Sequence, residues 1–244
     1  MRLLESNVPS ADLTQQKWDA VADRLRRNKG GLGDLGGGNH FLDALEPYGG
    51  GPLHFLVHTG SRAESGLVDD LIEQPAAFDA TFARVVDWAT RNREAVANAV
   101  DAVFGRCRLV VDLPHNTFEQ LDDGSVLIRK GAVATKCGEL NVIPSHMAGD
   151  VVLVRATDRV AESLDSLSHG TGRAVSRSEA KHLAENFDFA ALRRDVLLPT
   201  DLADASLRTD GPFAYRDLDA CLTLLDGFVE EEQRFRVVGF MGHL

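Results

Sequence analysis

Four histidines share one kind of neighbourhood in this chain. His40 stands in GGGNHF, His58 in VHTGSR, His115 in DLPHNTFE and His169 in SLSHGTGR, each at the end of an apolar run or in a loop of small and hydroxylated residues. Imidazole suits first-row divalent metals, and in its neutral form it is also a competent nucleophile towards phosphorus. Any one of these histidines alone is more often a satisfied structural or surface group. Four at strand ends are a different case, because loops at the ends of several strands can converge on one cleft. The glycines beside them fit the same chemistry. A backbone without Cβ permits close approach to a phosphate, and successive N–H groups form an anion-binding concavity. Gly36-Gly37-Gly38 could also be a flexible connection; the adjoining Asn39-His40 makes the run more specific.

The elements that must position these loops are legible from periodicity. A first amphipathic helix is predicted over residues 11–27, where Leu13, Trp18, Val21 and Leu25 recur at helical spacing, and it ends in the Gly-rich loop 30–38. Residues 53–58 read as a buried strand stopped at Thr59-Gly60-Ser61. A long helical region follows over 69–103, divided at Pro75. Residues 109–113 form another short apolar strand that ends near His115. Short β-like runs follow at 126–128, 132–134, 141–143 and 151–154, punctuated by turn residues. Helices are predicted over 176–185, 189–196 and 218–231, and a last strand over 235–240. Helices and strands mixed without regular βα alternation predict an α+β fold, and no repeat or linker divides residues 1–244 into separate domains.

Composition narrows the classes of function. The net charge is −11, which argues against loose electrostatic attachment to nucleic acid, since that mode needs many Lys and Arg on phosphates. A local basic cleft built from Arg129-Lys130, or from Arg173 with Arg177, remains compatible with it. Cys107, Cys137 and Cys221 are few, scattered and outside any CxxC pair, which fits a reducing compartment and speaks against a zinc ribbon. No stretch reaches the roughly 18 apolar residues of a membrane helix, and MRLLESNVPSADLTQQ is too polar for a signal peptide. Cytoplasmic residence and no membrane partner are the expectation.

Six motifs together resemble one family. GDLGGGNHFLD, VHTGSR, HNTFE, RKGAV, VIPSHMAGD and SHGTGRAVSR occur here in the order used by the RtcB-type RNA-splicing ligases, and Thr90-Arg91-Asn92-Arg93 also looks like theirs. The resemblance covers nearly the whole chain. It implies an RtcB-like fold with mixed β-sheets and long packed helices around a histidine-lined cleft. It further implies GTP- and Mn2+-dependent joining of RNA ends carrying a 2′,3′-cyclic phosphate or 3′-phosphate to ends carrying a 5′-hydroxyl. By position, His169 corresponds to the histidine that becomes guanylylated, and His40, His58 and His115 to metal ligands. Asn39, His40, Phe41 and Asp43 fall where the family contacts GMP, as do His115 and Asn116. So do Pro144, Ser145, His146 and Met147, and the loop His169, Gly170, Thr171 and Gly172.

The chain also departs from the family pattern. The resemblance implies an N-terminal D-x-x-C-G segment whose Asp and Cys bind metal, and none of the three cysteines stands in such a motif. A short or divergent member is therefore expected: a fragment whose missing segment comes from another polypeptide, a divergent enzyme with one metal, or a degenerate relative that only binds. The aligned ending is Phe240-Met241-Gly242-His243-Leu244 where the family has Lys-Gly, Asp43 stands where glutamate is usual, and the usual Pro-Gly-Ser-Met loop reads Pro144-Ser145-His146-Met147. His146 is a candidate extra ligand or phosphate contact. Two other functions stay open beside the ligase: a catalytically silent metal- or nucleotide-binding relative or partner of a complete ligase, and a metal-dependent cyclic phosphodiesterase, which needs activated water but no guanine pocket.

Overall fold

The structure, a computed structural model, describes residues 1–60, 78–242 and 244. Seven antiparallel strands form the main sheet in the order β4-β1-β3-β2-β10-β8-β7. They are β1 (Arg2–Pro9), β2 (Phe41–Pro47), β3 (Pro52–His58), β4 (Arg108–Asp112), β7 (Leu140–Pro144), β8 (Asp150–Ala156) and β10 (Val229–Gly242). A second antiparallel sheet, ordered β5-β6-β9, is built from β5 (His115–Gln120), β6 (Val126–Ala134) and β9 (Ser166–Ser168). Six helices complete the described fold: α1 (Gln15–Arg27), α2 (Phe78–Phe104), α3 (Arg177–Leu183), α4 (Phe189–Asp195), α5 (Asp204–Leu207) and α6 (Leu218–Leu224). This is the predicted α+β class.

Alternation along the central strands decides which side chains reach the site. In β3, Leu53, Phe55 and Val57 join a core with Trp18, Val21 and Leu25 of α1 and Val96, Val100 and Phe104 of α2. The period of two then sends His54, Leu56 and His58 to the opposite face. In β2 the same rule turns Leu42 and Ala44 towards the helices and Leu45 towards the second core, where Phe235, Val237 and Phe240 of β10 also lie. β10 keeps this arrangement only through an irregularity. Its register against β2 shifts between Val237 and Gly239, which reverses the phase. Phe240 consequently shares the face of Val237, and Met241 is buried among the helices.

The Gly-rich loop is held by one buried side chain. Asn92 of α2 donates to the Asp34 carbonyl and the Thr59 hydroxyl, each at 3.0 Å, and accepts from the Gly33 N–H at 2.7 Å. The Thr59 hydroxyl in turn donates to the Leu35 carbonyl at 2.9 Å. The loop is thus fastened to both α2 and the end of β3.

Several boundaries differ from those read in the sequence. β1, β2 and β5 are strands in stretches without a clean alternation of apolar and polar residues. Residues 10–12 form a separate 3-10 turn, and Thr14 caps α1 by accepting from the Lys17 N–H. The helix predicted over 218–231 ends at Leu224, because Gly227 takes φ +77°, and Val229 already pairs with Ala156 in the sheet. Residues 69–77 of the long helical region, and Pro75 as its divider, lie outside the described residues. Asn92→Ala strands the buried Gly33 N–H, so it should lower stability by about 2 kcal/mol. Urea unfolding measures this, and superimposable curves for the two proteins would show that the loop does not depend on Asn92.

Candidate functional site

The two sheets meet at the histidines. His58 is the last residue of β3 and points away from the helices. His115 opens β5, opposite Val133 of β6, and His169 follows β9, whose Ser168 lies opposite Ala132. One ring nitrogen from each of His58, His115 and His169 lies within 4.8 Å of the others. The Nε2 atoms of His58 and His115 are 3.3 Å apart, and the His115 and His169 rings stack with centroids 4.7 Å apart. The His40 ring stands 5.8 Å from that of His58, edge-on. All four sequence-predicted histidines are therefore brought together. The tight set of three contains His169, and His40 stands just outside it.

Local backbone fixes two of these rings. Gly36 has φ +83°, and a Cβ there would come within 2.7 Å of His40 Nδ1, so the loop can pass His40 only as glycine. Gly131, in the RKGAV run, has φ +68° and presents its carbonyl to His169 Nδ1 at 2.7 Å. A carbonyl only accepts, so Nδ1 carries the proton and, in the neutral ring, Nε2 keeps its lone pair. Asn116, itself at φ +61°, holds Gly131 by accepting its N–H at 2.9 Å.

Burial keeps the cluster uncharged. The pKa of His58 is driven well below the usual imidazole range by desolvation, with His115 as the next cause. His115 is lowered to about 3, again chiefly by desolvation. His169 is lowered by burial too, against the opposing effect of the Gly131 carbonyl. Neutral imidazoles with facing nitrogens are the donor set a divalent cation needs, and one proton at most can sit between His58 and His115.

Two cavities flank this histidine wall. One, of about 210 Å³, is bordered by His40, His58 and His169. Every residue that the resemblance assigned to GMP lines it, except His115 and Asn116. The other, of about 650 Å³, is bordered by His40, His115 and Asn116 and, across from them, by α2. Gly38, Asn39, His40 and Arg177 line both. In the smaller cavity, Asp43 is buried with Oδ1 unpartnered, and desolvation lifts its carboxyl well above the ordinary range. The Thr171 hydroxyl is buried and unpartnered as well. Two unsatisfied polar atoms in an apolar chamber fit a polar ligand that would complete them. His146 borders the same cavity, its Nδ1 accepting the Ala148 N–H at 3.3 Å.

Sequence reasoning overlooked some of these residues and misjudged others. Gly131 was recognisable only as part of RKGAV; its task of orienting His169 is a long-range contact. Arg173 is held by Asp210 at 2.8 Å and by the Thr209 carbonyl, beside Tyr215. Arg129 is buried and spent on Glu119, Ser166 and the Leu164 carbonyl. Of the basic residues singled out earlier, Arg177 borders both cavities, without an ion pair among the described residues. Met241, aligned with the family's lysine, is fully buried in the helix-side core, and Phe240 lines the smaller cavity instead.

An α+β protein whose two sheets enclose a three-histidine cluster able to hold a metal ion is what the fold and site define. Residues 73–242 match the family model described as tRNA-splicing ligase RtcB, and the chain belongs to that family. RNA-splicing ligase RtcB1 of Escherichia coli is 27% identical over 242 residues, covering 82% of this chain and 58% of the relative. RNA-splicing ligase RtcB2 of the same species is 31% identical over 229 residues, covering 80% and 56%. The tRNA-splicing ligase RtcB of Nanoarchaeum equitans is 25% identical over 293 residues, covering 90% and 61%. The chain thus spans less than two thirds of the length of these curated relatives. Among the described residues no helix is long and apolar enough to cross a membrane.

The depressed proton affinity of the cluster has a measurable consequence. Between about 3 and the ordinary value of 6.5, folded His115 stays neutral where the unfolded chain takes up a proton. Stability of metal-free protein should therefore fall as pH drops through that window, and fall less steeply in His115→Gln. Urea midpoints across the range test this, and parallel slopes would show that His115 is not desolvated.

Proposed function

We propose that this chain is an RtcB-type RNA ligase domain, residues 1–244 forming one unit, that uses GTP and Mn2+ to join RNA 3′-phosphate or 2′,3′-cyclic phosphate ends to 5′-hydroxyl ends. The observation that carries this reading is the histidine wall standing between two cavities. A ligase must present one phosphorus centre first to a nucleotide and then to an RNA end, and a wall reached from both sides suits that sequence. His169 is the proposed nucleophile. Its Nε2 lone pair would attack the α-phosphorus of GTP, the bond to the β-phosphate oxygen would break and pyrophosphate would leave. The Gly131 carbonyl, already bonded to Nδ1–H, would stabilise the positive charge that develops on the ring. A 3′-phosphate oxygen of the RNA would next take GMP from His169, and attack by the 5′-hydroxyl on that activated phosphate would expel GMP.

His40, His58 and His115 are the proposed ligands of Mn2+, which when bound would neutralise charge on the transferring phosphoryl oxygens. Asp43, Thr171 and the 144–147 loop would hold the nucleotide in the smaller cavity, with Asp43 in its neutral form able to donate as well as accept. Arg177, on the rim of both cavities, would meet phosphate. Strand β1 begins beside the cluster: the Met1 amine is close enough to lower the proton affinity of His58 and His115.

One observation favours a second reading, a catalytically silent metal-binding relative. His169 belongs to the tightest trio, and an imidazole committed to a metal is not free to attack phosphorus. Incubation with α-labelled GTP and Mn2+ separates the two. Covalent label on the wild type, absent from His169→Ala, is expected. No label, together with Mn2+ affinity lost in His169→Ala, would establish the silent reading. Release of 3′-phosphate from cyclic-phosphate RNA without GTP would point to a phosphodiesterase.

A further inference from the structure

The larger cavity has an aromatic and aliphatic wall that the nucleotide chemistry above does not use. Only the C-terminal half of α2, from Asn92 to Phe104, packs into the core. The turns before it lay Phe82, Val85, Val86 and Ala89 along the cavity at helical spacing. Phe82 is braced from behind. Its ring stacks 5.9 Å from Phe78 and meets Phe118 of β5 edge-on at 4.7 Å. His40, His115, Asn116 and Arg177 line the same cavity. Asn116 spends its Oδ1 on Gly131, which turns its Nδ2 donor elsewhere. In a chain of net charge −11, no Asp or Glu is among the described residues that line this cavity.

We propose that this cleft takes the unpaired terminal nucleotide of a strand ending in a 3′-phosphate, with the base on Phe82 and the phosphate held by Arg177 and Asn116 beside His40 and His115. The proposal rests on the RNA-joining reading and adds which feature of the strand is recognised. Stacking on an aromatic face is indifferent to base identity, and it requires a base free of its neighbours and its pairing partner. The volume of about 650 Å³ lies within the range of small-ligand pockets, so it suits a single extruded nucleotide and not the end of a duplex. An apolar protein segment would cover the α2 wall but would leave the guanidinium and the amide facing carbon, which costs hydrogen bonds.

A short single-stranded RNA with a 3′-phosphate and 2-aminopurine as its last base reports the contact directly, because stacking quenches that base. With the whole chain and Mn2+, binding should quench the fluorescence, and removing the terminal base should weaken binding about tenfold. Phe82→Ala should lose both the quenching and the tenfold preference, and Phe82→Trp should keep both, which separates a lost platform from a lost fold. A terminal base that stays bright on binding overturns the proposal. So does a Phe82→Ala variant that still discriminates, a blunt duplex bound as tightly as the single strand, or no binding at all. The readout needs neither GTP nor a label on His169. Quenching without guanylylation would leave this site standing and remove the ligase; guanylylation without quenching would do the reverse.

Discussion

The approach of His58 Nε2 to His115 Nε2, 3.3 Å apart, joins the two sheets, and the rest of the site depends on it. Each ring comes from a different sheet, so the contact bridges the two sheets at this end. Desolvation keeps both rings neutral, since a proton on either would place an uncompensated charge in a low-dielectric interior. Two lone-pair nitrogens then compete for one proton. A divalent cation would give both nitrogens a common partner, and one ring nitrogen of His169 lies within 4.8 Å of theirs. The cluster is therefore an uncharged set of lone-pair nitrogens, suited to hold a cation.

The same wall divides space as well as charge. On one side lies a small chamber with two unsatisfied buried oxygens, those of Asp43 and Thr171. On the other is a larger cleft with an aromatic wall and no acidic lining among the described residues. An ordinary buried metal site needs neither. Chambers on both sides are needed where two reactants must reach one centre in turn, and Gly131 fits that demand. By accepting a hydrogen bond from Nδ1–H it leaves the lone pair of the neutral His169 ring on Nε2.

Much of this was legible in the sequence, for physical reasons that differ by element. The buried β3 strand and helix α1 announced themselves through apolar spacing, and the four histidines through their shared setting among glycines and hydroxyls. Strands β1, β2 and β5 did not. β2 buries both faces and carries Asp43, so a polar residue sits where alternation predicts nothing; β5 begins with a bulge between His115 and Thr117 that breaks the period. The continuation of helix α6 to residue 231 followed from a run of helix formers, and one glycine at positive φ overrode it. The work of Asn92, Gly131 and Asn116 is done across 15 to 59 positions of chain, where no local pattern can report it.

Three of the departures from the family pattern, at Asp43, at the 144–147 loop and at the Phe240-Met241 ending, fall around one chamber. The β10 irregularity turns Phe240 into the smaller cavity and buries Met241, so that surface carries an aromatic ring and no cation. An ionised Asp43 would have no counter-charge from that side, and desolvation holds it neutral instead. A neutral acid needs no ammonium beside it. Asp43, held neutral by burial, and Phe240 thus border one chamber together with the buried, unpartnered Thr171 hydroxyl and with His146.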